Sequence, residues 1–147
     1  MNIVDMPAIR DLLKRGNARV ESIQFSSCFD EHVTQLPWEI SGNRLNWSQV
    51  PNSTCIEWDE CSDPEIKSFI NRTTLANYKE VAVVFSAKQP ALVCSYDFFA
   101  DNLDVFFFHF PGPAYFVGYP RGRAESDAQW DFLEIEVGGK ICGFKRS

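Results

Sequence analysis

Apolar and polar positions centre this chain on Val81 to Tyr119, where three apolar runs, Val81 to Ser86, Leu92 to Phe99 and Val105 to Phe110, are separated by Lys88-Gln89-Pro90 and Asp101-Asn102. Runs rich in Val, Phe and Tyr and bounded by turn residues predict a β-meander, because branched and aromatic side chains fit a pleated, half-buried surface. In such a strand Phe106-Phe107-Phe108 places rings on both faces, so it is expected to be central or covered by a helix. Pro111-Gly112-Pro113 turns the chain into another strand, Tyr115 to Tyr119, and Pro120 to Gln129 reads as an exposed loop. Trp130 to Val137 and Ile141 to Phe144 then form a closing hairpin through Gly138-Gly139.

Upstream, the spacing of Met6, Ile9, Leu12 and Leu13 predicts a short amphipathic helix, capped by Asp5, with Pro7 in its first turn and Gly16 as its stop. The alternation Val20, Ser22-Ile23, Phe25 predicts a strand from about Arg19 to Ser27. The polar stretch Asp30 to Pro37 reads as a loop. Trp38-Glu39-Ile40 and Leu45-Asn46-Trp47 flank Ser41-Gly42-Asn43 as the arms of a hairpin, and Thr54 to Trp58 reads as a short strand. Asp63 as N-cap, Pro64 in the first turn and the stripe Ile66, Phe69, Ile70 predict a second helix, ending near Asn77-Tyr78. Together these elements predict an α+β fold: a mostly antiparallel, strongly curved sheet, bent toward a half-barrel, with two helices packed on it. At 147 residues without repeat, linker or low-complexity tract, the chain (1–147) is expected to form a single domain.

Charge narrows the classes of partner. Twenty acidic against fourteen basic residues give a net charge of −6, which disfavours direct nucleic-acid binding and adhesion to anionic membranes, and instead steers basic partners toward the protein. The N-terminus lacks the continuous apolar core of a signal peptide, and no apolar run approaches the roughly 20 residues needed to span a bilayer. A cytoplasmic location is therefore expected, and the three N-x-S/T sequons at Asn46, Asn52 and Asn71 read as chance matches.

Catalytic and metal chemistry finds little purchase. Cys55 and Cys61 have no matching pair at zinc-ligand spacing, and Cys28 and His32 lie far upstream, so free cysteines acting as small hydrophobes are expected, with no metal and no cofactor. Cys28 with His32 or His109 carries no signature of a nucleophile and base. The loop Tyr119-Pro120-Arg121-Gly122-Arg123 lacks the Lys-Ser/Thr ending and the strand–loop–helix context of a phosphate-binding loop. No catalytic residue is assigned, and the chain is not expected to be an enzyme.

The acidic segments remain. Glu57, Trp58, Asp59, Glu60 and Asp63 lie within a stretch holding five carboxylates in nine residues, Glu57 to Glu65, and capping explains only Asp63 and Glu65. A second set, Asp97, Asp101 and Asp104, borders the central turn of the meander. Carboxylates beside an aromatic anchor are what protein interfaces use against Lys and Arg. In its size, acidity, aromatic richness and acidic clusters such as Glu57 to Glu65, the chain resembles the small acidic bacterial immunity proteins of contact-dependent growth inhibition and type VI toxin systems. The resemblance implies a protein, monomeric when free, that binds and neutralises a cognate basic toxin domain, a nuclease, by blocking its active or substrate-binding surface. The alternative is a small cytosolic ligand-binding domain or enzyme, which would show a deep pocket with convergent polar groups.

Overall fold

Val81, Ala82, Val83 and Val84 are all buried, and this unbroken apolar run is possible because both faces of its strand are covered. The computed structural model describes residues 2–42, 44–108, 114–120, 130–135 and 139–146. Seven strands, β1 (Arg19–Glu21), β2 (Ser53–Glu57), β3 (Glu80–Val84), β4 (Ala91–Ser95), β5 (Ala114–Tyr119), β6 (Phe132–Ile135) and β7 (Lys140–Phe144), form one sheet in the order β1-β4-β3-β5-β6-β7-β2. Every pairing is antiparallel, and the sheet is open, with β1 and β2 as its two edges. The expected antiparallel α+β arrangement is therefore present, whereas the sheet neither closes nor curls strongly.

Alternation along the strands separates two cores. Val81, Val83, Leu92, Cys94, Phe116, Leu133 and Ile141 point to one face, packed with α1 (Pro7–Lys14), α3 (Asp63–Asn71), α4 (Tyr96–Asp101) and α5 (Leu103–Phe108). Ala82, Val84, Val93, Val117, Phe132 and Cys142 point to the other, against Phe29 and Val33 of α2 (Ile23–Thr34) and against Leu45, Trp47 and Val50. Five α-helices among the described residues thus replace the two expected.

Local capping explains where the helices start. The Ser22 hydroxyl accepts from the Phe25 N–H, and Phe25, Phe29 and Val33 then fall at helical spacing toward the sheet. The strand expected over Arg19 to Ser27 is accordingly only Arg19–Glu21, and half of the loop expected from Asp30 is helix. Ser95 caps α4 in the same way, accepting from Phe98 N–H, so the run Leu92 to Phe99 is part strand and part helix. The third run is helix as well as far as Phe108, the last of its described residues: Phe99, Leu103 and Phe106 are buried while Asp104 is exposed, a helical rather than an alternating pattern.

Ser62, not Asp63, caps α3, through a capping box in which Ser62 Oγ accepts from Glu65 N–H and Glu65 Oε1 accepts from Ser62 N–H at 3.0 Å. Such a cap contributes about 1 kcal/mol. The stripe Ile66, Phe69, Ile70 is buried as expected, but α3 ends at Asn71 and a separate 3-10 turn covers Thr74–Asn77. Helix α1 buries Ile9 and Leu12 without a side-chain cap from Asp5. It stops at Gly16, whose φ of 75° lets the Asn17 N–H reach back to Leu12 O at 3.0 Å.

The hairpin expected around Ser41-Gly42 reduces to one bridge, Trp38↔Leu45, and Trp47 is buried at the start of a 3-10 turn, Trp47–Gln49. Cys55 and Cys142, expected to be free thiols, face each other on β2 and β7 and are disulfide-bonded. Gly118 lies under the Tyr78 ring, where an added Cβ would come within 2.5 Å, and the Tyr78 hydroxyl donates to Asp131 at 2.6 Å. The expected Pro111-Gly112-Pro113 turn, most of the Pro120 to Gln129 loop, His109 and Gly138 lie outside the described residues.

Edge strand β1 depends on ionised carboxylates. Arg19 forks onto Glu80 at 2.5 and 3.1 Å, and Glu21 accepts from the Tyr119 hydroxyl. Glu80 is held below its ordinary value by Arg19, and Glu21 by Tyr119 first and the Ser22 N–H next. A depressed carboxylate contributes fully above the ordinary value of 4.5 and progressively less as pH falls below it. Amide protection of β1 should therefore fall on acidification below that value while β3 and β5 stay protected. Equal loss in all three strands by hydrogen exchange would contradict this role.

Candidate partner-binding surface and cleft

The sequence stretch Glu57–Asp63 folds as the end of β2, a 3-10 turn (Trp58–Glu60) and the start of α3. Trp58 N–H donates to Gly139 O at 2.6 Å, which fastens the turn to the start of β7. Asp59 lies over Gly139, where an added Cβ would fall 2.8 Å from its carboxylate, and the Gly139 φ of 116° is one that favours glycine. Glu57, Asp59, Glu60 and Asp63 are exposed; Glu57 stands opposite Lys140 in the β2–β7 register.

The second acidic set joins the same layer of helices. Asp101 at the end of α4 accepts from Lys67 of α3 at 2.6 Å, and Asp104 is exposed in the first turn of α5. The Trp58 ring meets Phe107 of α5 edge-on at 5.7 Å between centroids, which ties the acidic turn to α5. Trp58 is half-buried, so much of its ring serves this packing. Asp97 is exposed at the other end of α4, where Tyr96 donates to Asn71 at the end of α3. The structure thus brings Asp101 and Asp104 onto the layer of Trp58–Asp63, leaves Asp97 at its far end and turns Glu57 to the other face of β2.

The Cys61 thiol reports the field of this region. Partial burial, then the charges of Glu65, Glu60 and Asp59, push its pKa above the ordinary value. A thiol held protonated by surrounding carboxylates is a poor nucleophile. Cys94 is buried and its pKa is pushed up to about 12, first by burial and then by Glu80. Cys28 is exposed on α2, whereas His32 lays its ring beside Trp130 at 6.2 Å. Among the described residues, no three His, Cys, Asp or Glu side chains converge to hold a metal ion. No helix among them is long and apolar enough to cross a membrane.

The other face of the sheet carries a cleft of about 760 Å³, between α2, the segment around Trp38 to Arg44 and the ends of β3, β5 and β6. At its floor Glu134 is only 7% exposed, and its Oε1 accepts from Trp47 Nε1–H at 2.9 Å. Tyr115 stands opposite Glu134 on β5 and Cys142 opposite it on β7. Burial raises the Tyr115 pKa, and the charge of Glu134 and a hydrogen bond to it raise it further, so the phenol keeps its proton. Asp30 and Arg44 also line the cleft, and Arg44 Nε donates to Glu39 at 2.9 Å. Sequence reasoning missed this site. Its one signal was a glutamate inside Phe132-Leu133-Glu134-Ile135, on the same strand face as Phe132.

Compared with known protein families, curated proteins and solved structures, the chain shows no significant match to any of them.

Proposed function

We propose that the protein is an immunity protein that binds a basic toxin domain, a nuclease, and neutralises it by covering its active or substrate-binding surface. The observation that supports this reading is the joining of two acidic stretches, distant in sequence, on one layer of helices. All seven carboxylates, Glu57, Asp59, Glu60, Asp63, Asp97, Asp101 and Asp104, are exposed, with Asp97 at the far end of that layer and Glu57 on the other face of β2 from Ile56. Lys67 pairs with Asp101 and Lys140 stands opposite Glu57, while Lys79 and Arg146 share a hollow with Asp97. The summed field attracts a basic domain before contact, and the hydrophobic contact of Trp58 with Phe107 holds the acidic turn in place. On this reading the protein performs no chemical step, acts in the cytoplasm and is monomeric until it captures its partner.

The gene beside this one should then encode a secreted toxin, and its basic toxin domain, produced alone, is the probe. Binding should be followed by surface plasmon resonance, with the association rate falling as salt is raised. The triple variant Asp59→Asn, Glu60→Gln, Asp63→Asn should weaken binding about tenfold or more. Unchanged binding by the triple variant would move the interface elsewhere on the protein. Failure to bind the toxin domain or to protect cells producing it would overturn the function itself.

A further inference from the structure

We propose that the cleft over Glu134 is a binding site for a small organic cation, an ammonium or amidinium group carried on an apolar or aromatic body. Its volume of about 760 Å³ lies within the range of small-molecule sites. Phe29, Val33, Trp38, Val84 and Phe85 supply apolar and aromatic wall, which accommodates the body of such a ligand. The sign of the head group follows from the charges. Glu134 at the floor and Asp30 at the side are both carboxylates, whereas the guanidinium lining the cleft, Arg44, is engaged by Glu39. An anion would be driven against Glu134 in a partly dry site; a cation is attracted by it and by the faces of the aromatic rings.

The position of Glu134 strengthens the inference. An apolar side chain there would complete the core next to Phe132, and a carboxylate is costly in that place unless donors meet it. The Trp47 N–H and the Tyr115 hydroxyl hold the group in position, and a carboxylate offers about four acceptor sites in all, so a ligand N–H can be accepted alongside them. This site lies on the opposite face of the sheet from the acidic helical layer, and it does not depend on the immunity reading.

Benzamidine and its neutral isostere benzamide test the assignment on the full chain, by calorimetry and by amide chemical-shift mapping. Benzamidine should bind saturably in the millimolar range, with shifts at α2 and at β5 and β6, and benzamide should bind about tenfold more weakly. Asp30→Asn, at an exposed position that leaves the fold alone, should weaken benzamidine severalfold, and Glu134→Gln should do so more. Equal binding of the two compounds would overturn the proposal. So would shifts that avoid the cleft, indifference to Asp30→Asn, or the absence of benzamidine binding to the folded chain.

Discussion

Phe106→Ala should destabilise the protein by about 3–5 kcal/mol, among the largest effects expected of any single side chain in it. Phe106 is 3% exposed on α5, and its ring meets Phe99 at 5.3 Å, Phe98 at 6.1 Å and Phe116 of β5 at 6.1 Å. The alanine would remove a ring shared by α4, α5 and the sheet, and these elements cannot all close on the space because Phe116 is fixed by pairing to β3 and β6. Phe107→Ala is the control. That ring is half-buried against Trp58 and Phe116, so its loss should cost about 1–2 kcal/mol. Urea denaturation of the two variants checks the order. Equal losses would mean that α5 does not present one face to the core, and a loss below about 1 kcal/mol at Phe106 would remove it from the core altogether.

This pair of residues also shows where the sequence was readable. Strands β3, β5, β6 and β7 could be found because their buried positions alternate or run continuously between turn residues, and a sheet covered on both faces leaves that pattern intact. The aromatic runs misled because Phe favours strands while tertiary contacts decide what a short run becomes. In Leu92 to Phe99 the boundary is Ser95, a hydroxyl placed to cap, followed by Asp97 in the first turn. Ser22 gives the same sign ahead of Phe25, Phe29 and Val33. An N-cap serine inside an apolar run is thus better read as a change of element than as one polar position in a strand.

For the candidate surfaces, composition pointed to the acidic stretches but carried no information on whether they meet. That depends on the Lys67–Asp101 pair and the Trp58–Phe107 contact, both between elements far apart in the chain. The cleft was still less visible. Glu134, Asp30 and Trp38 come from three separate segments, and only the stacking of α2 on the sheet brings them to one place.

Removing the Cys55–Cys142 bond should lower stability by about 4 kcal/mol, because the bond closes a loop across a sequence separation of 87 residues in the unfolded chain. The double variant Cys55→Ala, Cys142→Ala tests this by denaturation. Reduction of the unaltered chain should produce nearly the same loss, which separates the bond from the change in side-chain volume. Cys55 is exposed, so a reductant has access. The native fold should survive, since β2 keeps its pairing to β7 from Ser53 to Glu57 and the packing of Ile56 against the helical face. A loss below about 1 kcal/mol in both experiments would show that this closure does not constrain the unfolded chain. The redox state in cells bears on the proposed function as well, because disulfides persist in oxidising compartments and are rare in the cytosol. A cytoplasmic immunity protein should carry Cys55 and Cys142 as thiols, and alkylation at the moment of lysis, followed by mass spectrometry, should find both blocked. An intact bond at that moment would place the chain in an oxidising compartment. It would also make the sequons at Asn46, Asn52 and Asn71 worth testing for glycans, and it would remove cytoplasmic capture from the proposal while leaving the acidic surface as its site.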